Sequence, residues 1–87
     1  MKISQIDFLR HLKTALIEKW KDIIPADWID VKMSIAYFDP EIPHGIVFVR
    51  QPDSTVLQLP FSVAESSSEL VELTACMIDN ELMKYEA

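Results

Sequence analysis

The sequence predicts an α+β domain of order α-β-β-β-α: a three-stranded antiparallel meander with two helices packed on one sheet face. Three observations carry this. Apolar residues recur at spacings of three and four near both ends of the chain, they alternate or cluster in short runs in between, and prolines and polar turn residues separate those runs. Amphipathic helices and half-buried strands each need a covering layer, which they supply to one another. The 87 residues make one domain, 1–87, without repeat or linker. A chain of this size buries roughly 60–65% of the surface its unfolded form exposes, enough for one core without staples.

The first helix is expected from about Gln5 to Ile24. Ile6, Leu9, Leu12, Leu16, Trp20 and Ile23 form its stripe, widened by Phe8, Ala15, Ile17 and Ile24. Ser4 has the chemistry of an N-cap, Asp7 suits the positive end of the helix dipole, and Pro25 closes the segment. From Ile29 to Phe38 the pattern alternates, which predicts a strand with one wet face. Asp39 to Gly45 reads as a loop, holding two prolines and the only glycine. Ile46-Val47-Phe48-Val49 is apolar throughout and reads as a central strand. Gln51-Pro52-Asp53-Ser54 is a tight turn by composition. Val56 to Leu59 is the third strand, and Pro60 either ends it or marks it as an edge. The second helix starts at Ser66-Ser67-Ser68-Glu69 and runs to about Tyr85. Leu70, Val71, Leu73, Met77, Ile78, Leu82 and Tyr85 lie on one side.

Charge narrows the partners. Fourteen acids face eight bases, for a net charge of −6, and no basic run exists. Duplex binding draws its affinity from Lys and Arg releasing counterions from phosphates, so direct nucleic-acid binding is not expected. Anionic membranes are disfavoured on the same ground, and no apolar stretch approaches the ~20 residues that span a bilayer. The opening residues carry Gln5, Asp7 and Arg10 inside the apolar pattern, unlike a signal peptide. With a single cysteine, Cys76, the expected compartment is the cytoplasm.

The sharpest pattern is an acidic stripe. Glu65, Glu72, Asp79 and Glu86 are spaced by seven, with Glu69 between the first two, so they share roughly 100° of helical arc. The plainer reading is a solvated helix face. The functional reading is a docking face for a basic protein, since faces of one sign steer partners of the other. A stronger version is mimicry of nucleic acid. Duplex DNA carries about one charge per 1.7 Å, whereas seven helical residues rise roughly 10.5 Å, so one stripe is sparse for that task.

Catalytic patterns are weak. His11 has Asp7 four residues before it, but two ligands do not make a zinc site, and His44 has no assignable partner. Cys76 lies mid-helix among carboxylates, the wrong setting for a thiolate. Ser66 to Ser68 serve as a cap, and one glycine cannot build a phosphate-binding loop. No enzyme activity, metal or cofactor is expected. Glu81 intrudes on the apolar arc of helix two and is expected to reach water at an overhanging end. Lys13, which intrudes likewise on helix one, is its alternative partner.

The sheet supplies a second candidate surface. With helices over Ile35, Tyr37 and Leu59, the opposite face would carry Phe38, Val47, Val49 and Val56, an apolar patch suited to a homodimer or another protein. The element order is similar to that of the double-stranded RNA-binding domain. That resemblance implies contacts to RNA from a basic N-terminus of the second helix. Here that position reads Glu65-Ser66-Ser67-Ser68-Glu69, of opposite sign. The reading that follows is a small acidic protein-interaction module, an inhibitor or adaptor of the kind found among phage or bacterial accessory proteins, with nucleic-acid mimicry second.

Overall fold

The computed structural model describes residues 1–33, 44–63 and 66–86. Helix α1 (Gln5–Lys19) and helix α2 (Glu69–Glu86) pack on an antiparallel sheet of strands β1 (Ile29–Met33), β2 (His44–Arg50) and β3 (Val56–Ser62), in spatial order β1-β2-β3. The expected course of the first strand beyond Met33, with Ile35, Tyr37 and Phe38, lies outside the described residues.

Ser4 caps α1: its hydroxyl accepts from the Asp7 backbone N–H at 3.0 Å. The helix stops at Lys19, five residues short of Ile24. Pro25 disfavours helix at Ile24 and clashes with a helical carbonyl at Lys21, but the helix ends before both. Trp20 takes φ −106° and ψ 12°, off helical values, and its carbonyl closes the chain by accepting from both Ile23 and Ile24. Pro25 instead opens a single 3-10 turn, Ala26–Trp28. The buried stripe of α1 is Phe8, Leu12, Leu16 and Trp20, continued by Ile24, whereas Ile6 and Ile23 are exposed.

Register fixes the sheet's two faces. Val47 pairs with Val31 on one side and Leu59 on the other, and Val49 pairs with Ile29 and Leu57. Cross-strand partners share a face. With Leu59 under the helices, Val47 and Val49 are under them too, at 0% exposure. This corrects the expected open face. Val47 and Val49 belong to the core, Phe38 lies outside the described residues, and only Val56 is exposed. The outward residues are Asp30, Lys32, Ile46, Phe48, Arg50, Val56, Gln58 and Pro60, with the Lys32 ammonium 5.8 Å from the centre of the Phe48 ring.

Two residues expected in a loop, His44 and Gly45, begin β2. Gly45 sits between Met33 and Phe61, and the Phe61 ring fills the space its side chain would take. A methyl group there would lie 2.6 and 2.8 Å from two ring carbons and 2.9 Å from the Lys32 carbonyl oxygen. Gly45→Ala should therefore cost about 1–3 kcal/mol by overpacking. The measurement is a urea midpoint at unchanged slope; an unaltered midpoint would contradict this close approach.

The turn between β2 and β3 closes through Ser54 N–H to Gln51 O (3.0 Å) and Gln51 N–H to Thr55 O (2.8 Å), with Ser54 left-handed at φ 73°. The Asp53 carboxylate accepts from the Thr55 hydroxyl at 2.6 Å and the Thr55 N–H at 3.0 Å. Those bonds, the hydroxyl's first, hold its pKa below the ordinary 3.8. A carboxylate with a lowered folded-state pKa contributes stability above its unfolded value and loses it as pH falls through the folded one. Asp53→Asn should consequently flatten the acid limb of the stability profile below 3.8. Identical limbs in wild type and variant would show that the turn does not use the charge.

Candidate interaction site

The acidic stripe is partly a seam between the helices. Glu65 and the side chain of Glu86 lie outside the described residues. Residues 1–3 run antiparallel to 66–68 through Ile3 N–H to Ser66 O and Ser68 N–H to Met1 O, each 3.0 Å. This brings the Met1 ammonium onto the Glu69 carboxylate and lowers the Glu69 pKa, chiefly through that hydrogen bond. Glu72 accepts from Lys19 Nζ at 3.2 Å, the leading reason the Lys19 pKa is raised. Asp79 accepts from the Trp20 indole Nε1–H at 2.6 Å, where Trp20 is 1% exposed. Three of the five predicted docking carboxylates thus hold α2 to α1 and to the amino-terminal residues.

The other singled-out residues are dispersed. Cys76 is exposed, its sulfur 3.8 Å from Glu72 Oε1, and His11 is exposed on α1. Lys13 pairs with Asp30 at 3.5 Å and Glu81 with Lys84 at 3.0 Å, so Glu81 reaches water and does not meet Lys13. Among the described residues no three His, Cys, Asp or Glu stand together as a metal site, and no helix is long and apolar enough to cross a membrane.

A surface the sequence reading missed lies between β3 and α2. The buried residues of α2 are Val71, Thr74, Ala75, Ile78 and Leu82, with the Thr74 hydroxyl donating to the Leu70 carbonyl at 2.7 Å. The helix is therefore rotated toward α1 relative to the expected stripe. Leu73, Met77 and Tyr85 are left 54–62% exposed, Met77 and Tyr85 on the flank beside β3. There a groove of about 760 Å³ opens, with Leu59, Pro60 and Phe61 along one wall and Met77, Glu81 and Tyr85 along the other. The signal in the sequence was the width of the arc: at 100° per residue Leu73 and Leu82 point in opposite directions, so one sheet face cannot cover both. The chain matches no protein-family model, no curated protein and no solved structure.

Proposed function

We propose that the chain is a non-enzymatic protein-interaction module, an inhibitor or adaptor acting in the cytoplasm. The observation that carries this is the flank of α2, where Met77 and Tyr85 stand exposed along a groove and Leu73 is exposed one turn before Met77. Exposed apolar side chains gathered along a groove mark association surfaces. Mimicry of nucleic acid is less favoured, because Glu69, Glu72 and Asp79 are engaged within the chain.

The test is photo-crosslinking in extract of the source cells, with a photoreactive residue at Leu73, at Met83 or at Ile46. One recurrent adduct is expected, and its purified protein should bind the chain reversibly. Adducts no different from those of an unrelated acidic protein would overturn the proposal. So would turnover of a small molecule that changes at Glu81 or Tyr85 abolish.

A further inference from the structure

We infer that the outer face of the sheet pairs with the same face of a second copy of this chain, in a reversible two-fold dimer centred on Ile46 and Phe48. This goes beyond the interaction reading above, which concerns α2. Both helices lie on the inner face with Val47, Val49 and Leu59, so Ile46, Phe48 and Val56 are turned away from the core.

The register makes this face complementary to itself. Its two central rows are Asp30–Phe48–Gln58 and Lys32–Ile46–Pro60. A two-fold axis that crosses the strands between those rows lays β1 on β1 of the second copy, running the other way. Each row then faces the other. Phe48 meets Ile46 of the second copy, and Asp30 meets its Lys32, twice over by symmetry. Sheets packed face to face stand about 10 Å apart with strands nearly aligned, a gap that an Asp and a Lys side chain span together. Within the chain Lys32 Nζ lies 3.8 Å from Asp30 Oδ2, too long for a hydrogen bond, so exchanging that pair for one between copies costs little. The same axis keeps the two Arg50 side chains at opposite ends of the contact.

Charge also decides which face self-associates. Helix α2 holds five acids and one base, whereas the strands carry only Asp30, Lys32 and Arg50 as charged residues at neutral pH. Joining two chains through α2 would set acid against acid. Joining them through the sheets leaves each helix layer roughly one helix diameter, about 10 Å, behind its own sheet. The acidic helices then stand about 30 Å apart, several times the screening length of about 8 Å at physiological salt. Pairing through the strand edges is opposed by Pro60 in β3 and by the Asp30 carboxylate, which takes up the Val31 N–H of β1 at 2.9 Å. Three strands of up to seven residues offer a face of roughly 14 by 24 Å, at the small end of specific interfaces. The dimer is therefore weak, half formed at about 100 μM.

The experiment is sedimentation of the whole chain from about 10 μM to 1 mM at physiological salt, with the fold of each variant checked by circular dichroism. The wild type should pass from monomer to dimer across that range. Phe48→Glu should raise the dissociation constant about tenfold or more. Lys32→Glu sets carboxylate on carboxylate and Asp30→Lys sets ammonium on ammonium, so each alone should weaken the dimer. An equal mixture of those two variants pairs unlike charges at both contacts and should restore it. A wild type that stays monomeric at 1 mM would overturn the inference. So would a mixture no more dimeric than its separate components. A dimer that survives Phe48→Glu but is lost in Leu73→Lys would place the contact on α2 and overturn it as well. None of these results bears on capture of a different protein by α2, which the crosslinking reads separately.

Discussion

Val47→Glu is expected to leave the domain unfolded at room temperature. Val47 is the centre of the sheet, paired with Val31 and Leu59 and fully covered by the helices. A carboxylate there has no partner, and burying an unpaired charge is among the few single changes that cost more than about 4 kcal/mol. A domain of this kind holds roughly 5–15 kcal/mol in total, with short chains near the lower end. Phe48→Glu, one residue along, points outward beside Lys32 and should cost about 1 kcal/mol, mostly lost ring contact. Far-UV circular dichroism and thermal melts of the two variants read the difference. A folded Val47→Glu beside an unfolded Phe48→Glu would invert the sheet.

The second large effect belongs to Trp20. Among the described residues it is the largest fully buried side chain, and its indole also bonds to α2. Trp20→Ala should lose about 3–5 kcal/mol of packing. Trp20→Phe keeps an aromatic ring but leaves the Asp79 carboxylate without its donor, for about 1–3 kcal/mol. Asp79→Asn retains an acceptor oxygen and should cost least. Urea midpoints at constant slope give the order. An Asp79→Asn as damaging as Trp20→Ala would mean that the carboxylate's charge, rather than the indole's volume, secures this corner.

The element order, the Ser4 cap, the turn at Gln51–Ser54 and the helix starting near Glu69 were legible because each is written locally, in spacing or in turn chemistry. Strand phase was not. Ile46 to Val49 is apolar on both faces, so only its pairing with Leu57 and Leu59 tells inside from outside. β3 passes through Pro60 because it lies at an edge, a property of the sheet and not of the segment. Gly45 in a strand answers to Phe61, sixteen positions away in the sequence. The acidic periodicity was plain, but its meaning lay in Lys19 and Trp20, which sit 53 and 59 positions from the carboxylates they hold.

That long reach has a kinetic side. The core layer of α1 lies against β1 and against α2, which follows the strands in the chain and places Leu82 in the same buried cluster. A nascent chain displaying Phe8, Leu12 and Leu16 has the sheet but not the second helix to cover them until α2 has emerged. Contacts spanning so much of the sequence must be closed before they reward the chain, which slows folding relative to a helical bundle of the same size. Closing the longer loop itself costs little more, since the entropy grows only with the logarithm of length. A nascent chain halted before Glu69 would therefore hold the α2-facing side of its α1 stripe open to chaperones, or to the same stripe on a neighbouring ribosome's product.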